Sequence, residues 1–148
     1  DIVITTNGGY PLDQNAYQCP KGMSAAEATV NDGGVIIMLA TCQDGHGGES
    51  YYHSIADAES ADAFFQQCLH TPQVETLPDQ WCAQIWCRIV RKYKVLFVAD
   101  KAQEQLIRDL KVEYFETLDE AYARARELKG PDATLTCIPN GVSVVVKD

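Results

Sequence analysis

Gln18 and Lys21 stand three residues apart in the stretch "TNGGYPLDQNAYQCPKG", residues 6–22. On a helix, that spacing puts two side chains on one face with Cβ atoms about 5–6 Å apart. The pair offers an ammonium with three donors beside a carboxamide that both donates and accepts. Such a pair suits a small carboxylate or hydroxy acid. Gln14 extends the same face one turn back. The plain alternative is a solvated polar face with a surface lysine. The local charge weighs modestly against that alternative. Lys21 is the only Lys or Arg in residues 1–87, which hold eleven acidic residues. Pro20 lies between the pair, and a proline can kink or restart a helix.

Three other stretches carry residues capable of chemistry. "CQDGHGGESYYH" (42–53) holds Cys42, Asp44, His46, Glu49 and His53. It reads as a loop packed on a partner or lid, as a site loop using His46, or as a metal site. Its spacings match no standard zinc pattern. In "PDQWCAQIWCRIV" (78–90) the apolar residues cover much of a helix, which is then buried. Trp86 belongs to a core. Trp81 falls in the first helical turn, where it either faces a ligand or packs. Tyr17 sits one residue before Gln18, between core and rim, with Tyr10, Tyr51 and Tyr52 also near the glycine-rich loops. No Ser-His-Asp or Cys-His arrangement is readable. Neither GxGxxG nor GxxxxGK[ST] occurs, so both common nucleotide fingerprints are missing.

The elements that must position these residues alternate between strand and helix. "DIVITT" (1–6), "VIIMLAT" (35–41), "KVLFVAD" (94–100) and "KVEYF" (111–115) read as strands, the middle two apolar throughout and so covered on both faces. Asp13 is a candidate cap for a helix over 14–30, disturbed at Pro20. Further helices are expected over 56–70, from Pro78-Asp79 to about Tyr93, over 101–110, and over 117–129. The last opens with the capping box Thr117-Leu118-Asp119-Glu120. "ATLTCIPNGVSVVVK" (133–147) reads as two strands reversing at Pro139-Asn140-Gly141. The expected fold is α/β: a Rossmann-like three-layer domain with a mainly parallel sheet and an antiparallel edge hairpin. Ligands in such sheets sit at the strands' C-terminal ends, here near the loops 6–13 and 42–50.

At 148 residues, with 46% hydrophobic residues, the chain has the size and composition of one globular domain. It starts at Asp1 within a core-like strand and reads as a piece of a longer protein. A net charge of −9 argues against nucleic-acid and anionic-membrane partners. Six cysteines without metal-ribbon spacing read as reduced thiols in a cytoplasmic protein, with Cys137 as core filler.

The motifs "NGGYPLDQNAYQ..KG", "GGVIIM", "DGHGGE" and "LPDQW.AQI" together resemble the C-terminal domain of lactate racemases that use a nickel-pincer nucleotide. The resemblance runs from Asp1 to Lys147. It implies that residues 1–148 are the C-terminal domain of a two-domain enzyme, with the N-terminal domain outside this chain. That missing domain would hold the nickel cofactor on a lysine and supply two histidines as acid and base. This domain would close over the site. Gln18 and Lys21, with Tyr17 beside them, would contact the substrate, and Trp81 would line the cofactor side. No catalytic residue and no metal ligand would come from this chain. The implied reaction takes hydride from C2 of a 2-hydroxy acid such as lactate and returns it to either face. The lone cation is then kept for an anionic substrate, and the isolated domain is expected to be inactive. Two rival readings are a non-catalytic small-molecule binding module and a docking domain using the acidic first half.

Overall fold

The computed structural model describes residues 1–147. Five short strands form one sheet: β1 (Ile2–Thr6), β2 (Val35–Leu39), β3 (Lys94–Val98), β4 (Glu113–Phe115) and β5 (Leu135–Ile138). Their order is β4-β3-β2-β1-β5, and every pairing is parallel. β2 is apolar at each position because both of its faces are covered. Ile36 and Met38 enter the larger core, while Val35 and Ile37 enter the smaller one.

Helices α1 (Cys19–Glu27), α2 (Glu49–Ala56), α3 (Ala61–His70), α4 (Gln80–Lys92) and α5 (Glu104–Asp109) lie on one side. α6 (Leu118–Lys129) covers the other, setting Ala121 and Ala125 on Ile2, Val35, Ile37 and Leu96. The result is the expected Rossmann-like three-layer α/β domain. Trp86 is fully buried at the centre of the larger core, and its indole N–H donates to the Leu110 carbonyl at 2.8 Å. The capping box at Thr117 forms in both directions, with Thr117 Oγ1 accepting from the Glu120 amide and Glu120 accepting from the Thr117 amide.

The antiparallel hairpin does not form. β5 pairs only with β1, in parallel, as an edge strand. The Asn140-Gly141 turn is used differently from a hairpin reversal. The Gly141 amide donates to the Thr6 carbonyl at 2.8 Å, anchoring the turn to the end of β1. A Cβ on Gly141 would lie 2.7 Å from Gly22 Cα, so only glycine allows this approach. Residues 142–146 then pass beside α1 without a strand partner. Edge position also explains Cys137, which is exposed rather than core filler.

Two helix expectations also change. The segment 14–30 is not one helix: a 3-10 turn (Ala16–Gln18) leads into α1, with Gln18 as its N-cap. Pro20 falls in the first turn of α1, where a missing amide hydrogen costs nothing, so it starts the helix instead of kinking it. Asp13 caps no helix. It is buried, and its backbone carbonyl accepts from the Cys42 amide at 3.0 Å. The expected helix at 56–70 starts only at Ala61, where Ser60 caps it by accepting from the Ala63 amide at 3.1 Å; Ala56 instead ends α2, a helix that the sequence pattern did not reveal.

α1 sits close on the end of β1 because residue 22 has no side chain. A Cβ there would fall 2.5 Å from Asn7 Oδ1 and 2.9 Å from the Thr6 carbonyl. Gly22→Ala should therefore cost more than about 2 kcal/mol. Thermal unfolding of the variant should fall by roughly 5–10 °C; an unchanged midpoint would show that α1 has room to spare.

Candidate functional site

The site grows from the loop that follows β1. Asn7 is fully buried there. Its Nδ2 donates to the carbonyls of Leu12 at 2.7 Å and Gln18 at 2.8 Å. Its Oδ1 accepts from the Gly22 amide at 3.0 Å. Three bonds that tie residues 8–22 to the end of β1 thus converge on one carboxamide. The glycine-rich loop after β2 braces the same segment from the other side. The Ala16 amide donates to the Gly45 carbonyl at 3.1 Å and the Tyr17 amide to that of His46 at 3.0 Å. Gly47 is required at that brace: its φ is +78°, and a Cβ would fall 2.4 Å from Asn15 Cγ.

On this frame Lys21 Nζ donates to Gln18 Oε1 at 2.5 Å. The two side chains meet although Gln18 belongs to the 3-10 turn and Lys21 to the first turn of α1. Lys21 is exposed, so two of its three ammonium protons remain available. α4 supplies the opposite wall. It is tied to α1 by Arg88, whose Nε and Nη2 reach the Glu27 carboxylate at 3.1 and 2.6 Å. Trp81, in the first turn of α4, is 56% exposed. Its ring meets Tyr17 edge-to-face, with centroids 6.2 Å apart and planes at 84°. Tyr17 also stands edge-on to buried Tyr51 at 5.4 Å.

Tyr17, Pro20, Lys21, Ser24, Trp81, Cys82 and Ile85 line one small, mainly apolar cleft of about 90 Å³. All four residues singled out in the sequence therefore lie together: Lys21, Tyr17 and Trp81 in the cleft, Gln18 on the Lys21 ammonium. A larger hollow of about 320 Å³ opens at the C-terminal ends of β1, β2 and β3, lined by Asp13, Thr41, Asp100 and Glu116 among others. It holds none of the four. His46 lies outside the cleft: its Nδ1 accepts from the Gly48 amide at 3.1 Å, and its ring stacks on Tyr52 at 5.0 Å. Among the described residues, no group of three His, Cys, Asp or Glu side chains is arranged to hold a metal ion.

The cleft floor is neutral. Burial, helped by a hydrogen bond to Asp79, pushes the Tyr17 phenol up to about 12. Burial and then the Asp79 charge push the Cys82 thiol up to about 12, against a smaller opposing pull from Lys21. Burial also raises Cys19, helped by the neighbouring Cys42 thiol. Tyr17 and Cys82 are walls of the cleft and Cys19 lies buried behind it; none is a nucleophile or base at neutral pH. Two contributors escaped the sequence reading. Asn7 read only as part of the loop 6–13, and Asp79 only as a helix start. Their partners are remote in sequence, so no local spacing reveals them.

The fold and cleft define the class: a Rossmann-like α/β domain whose small cleft sets one cation beside an aromatic wall. The chain belongs to the lactate racemase C-terminal domain family, whose model matches residues 1–146. It is 51% identical over 147 residues to lactate racemase of Lactiplantibacillus plantarum, covering 99% of this chain and 35% of that protein. It is 45% identical over 148 residues to lactate racemase of Thermoanaerobacterium thermosaccharolyticum, covering all of this chain and 35% of that protein. A solved structure of the lactate racemase apoprotein from the latter organism superposes with a TM-score of 0.96 at 45% identity, over 100% of this chain and 36% of that one. The chain thus spans about a third of the length of the curated relatives it matches.

The raised groups dictate a pH dependence. Tyr17 ordinarily ionises at 10.0 and Cys82 and Cys87 at 9.0, and the fold holds all three at about 12. Folded protein then retains protons that the unfolded chain has lost. Their stabilising contribution is fully present below about pH 9 and decays as pH rises from 9 to 12. The denaturant midpoint should fall across that window, and fall less steeply in Cys82→Ala. A midpoint flat to pH 11 would contradict the burial of these groups.

Proposed function

We propose that this chain is the substrate-closing domain of a lactate racemase and that its cleft binds the carboxylate of a small 2-hydroxy acid. The observation that carries this is the placement of Lys21. The one cation of an acidic half-chain stands exposed in a cleft beside Tyr17 and Trp81, with its ammonium held by Gln18. Membership of the lactate racemase C-terminal domain family supports this choice of substrate class.

In this reading Lys21 donates to a substrate carboxylate oxygen. A charge-assisted bond of this kind is about twice as strong as a neutral one. Gln18 keeps the ammonium pointed into the cleft by accepting one of its protons. Its own amide N–H₂ remains free to donate to the substrate hydroxyl, or to the carbonyl oxygen as negative charge develops there. Tyr17 and Trp81 exclude water from one side, which strengthens the ammonium–carboxylate attraction. Nothing in the cleft is poised to move the hydroxyl proton, since Tyr17 and Cys82 are held neutral. Acid and base would come from the part of the enzyme outside this chain.

A nickel-pincer nucleotide, held mainly by that other part, would supply the hydride acceptor. The exposed indole of Trp81 at the cleft rim fits a flat cofactor ring, and it is the residue here that would border it. All six cysteines are free thiols, which suits a reducing cytoplasm. No helix among the described residues is long and apolar enough to cross a membrane.

The test uses the full-length, cofactor-loaded enzyme. Losing a hydrogen bond to a charged group costs about 1.5–3 kcal/mol. Lys21→Ala should then lower kcat/KM by roughly 10- to 150-fold without changing Tm. Lys21→Arg should restore only part of it, because a planar fork does not replace an ammonium. Lys147→Ala should be silent. Near-wild-type turnover in Lys21→Ala would make this lysine a solubilising charge. The 148-residue chain alone, supplied with nickel, should not racemise lactate; activity would place the acid and base within it.

A further inference from the structure

We infer that Asp79 is a positioning residue of the substrate cleft, its carboxylate fixing the Tyr17 ring against Trp81. The inference rests on the reading of Tyr17, Lys21 and Trp81 as a substrate cleft.

Asp79 occupies the N-cap of α4. Aspartate is favoured there because its carboxylate can accept a free backbone amide of the first turn. Asp79 makes no such bond. Its backbone sits in the left-handed region, at φ 60° and ψ 2°, which few non-glycine residues adopt. The carboxylate is turned instead toward the Tyr17 hydroxyl, which donates to Oδ1 at 3.0 Å across 62 residues of chain. A residue that forgoes its usual cap in an uncommon backbone conformation points to a role outside its own helix.

The ring of Tyr17 packs edge-on against buried Tyr51, and its other hydrogen bonds act on its main chain. Its amide is held by the His46 carbonyl at 3.0 Å, and its carbonyl accepts from the Cys82 thiol at 3.4 Å. The ring tip is held by Asp79. The same residue sets the start of the helix carrying Trp81, since its carbonyl accepts from the amides of Cys82 at 2.9 Å and Ala83 at 3.3 Å. Asp79 therefore references both halves of the Tyr17–Trp81 pair to one backbone position. Gly48 packs where these meet: a Cβ there would be 3.5 Å from Tyr17 Cδ2 and 3.7 Å from Asp79 Oδ2.

The experiment uses the full-length enzyme. Asp79→Gly deletes the carboxylate and keeps the left-handed backbone at no steric cost. Asp79→Asn keeps both an acceptor and tolerance of that backbone. Tyr17→Phe removes the bond from the other side. We expect KM for lactate to rise about tenfold in Asp79→Gly and in Tyr17→Phe, with a smaller change in kcat. The double variant should be no worse than either single one, because both delete one bond. Asp79→Asn should retain most of the affinity. A readout independent of turnover is the Tyr17 phenol, followed by NMR of ring-labelled tyrosine in apoprotein. Burial is the larger cause of its raised pKa and stays in Asp79→Gly, so the pKa should fall below about 12 by the smaller share that the Asp79 bond and charge supply.

Wild-type KM in Asp79→Gly, with Lys21→Ala impaired, would overturn the role of Asp79 and leave the cleft standing. Additive losses in the double variant would overturn it as well. A lowered Tyr17 pKa with unchanged KM in all variants, Lys21→Ala included, would overturn the cleft itself and the inference with it. Should Asp79→Gly fail to fold, Asp79→Asn and Tyr17→Phe decide: an Asn variant as impaired as the Phe variant contradicts the hydrogen bond.

Discussion

The three hydrogen bonds of Asn7 are the constraint on which the cleft depends. A buried carboxamide with all of its partners in place is rigid, and one left unpaired costs the full desolvation of its polar atoms. Asn7 follows the last residue of β1 and holds the carbonyl of Gln18 and the amide of Gly22. Those two groups bracket Lys21. The orientation of the lysine is thus set from the sheet through one side chain, over a distance that a flexible loop would not transmit. Gly22 makes the arrangement possible, because any side chain there would occupy the space of the Asn7 carboxamide.

The cleft then follows from the meeting of two helix starts. α1 brings Lys21 from the β1 side, and α4 brings Trp81. The Arg88–Glu27 bidentate pair fixes their relative position. Partial exposure limits what such a pair adds to stability, but its geometry fixes register. One charge beside an apolar wall is what the proposed small anion with an apolar part would require. The cleft's mainly neutral floor explains why it can bind and orient without itself moving protons. In the proposed function this chain, which spans 35% of the length of its relatives, would supply half of a site, with the chemistry coming from the other part.

Much of this was legible in the sequence where signals are local. α6 announced itself through Thr117 and Glu120, α4 through Pro78-Asp79, and β2 through an unbroken apolar run. The Gln18–Lys21 spacing marked two side chains that do meet, even though the helix assumed for them begins only at Cys19. The misses share one cause, a tertiary partner taking a group that the local pattern assigned elsewhere. The Gly141 amide goes to Thr6, so Asn140-Gly141 makes no hairpin. The carboxylate of Asp79 goes to Tyr17, so a helix cap becomes a bond between two walls. Asp13 turns to the end of β2 instead of capping a helix. α2 was hidden because its start follows directly on the glycines of the loop before it. The resemblance to lactate racemases marked Gln18, Lys21, Tyr17 and Trp81 together, but the bonds that hold them join residues remote in sequence and leave no local pattern.

The most direct test of the account is a crystal structure of the full-length, cofactor-loaded enzyme with a non-reacting 2-hydroxy acid analogue bound. The account predicts a carboxylate oxygen within about 3.2 Å of Lys21 Nζ, with Tyr17 and Trp81 against the ligand. An analogue bound with its carboxylate on other groups, and Lys21 left in solvent, would contradict it.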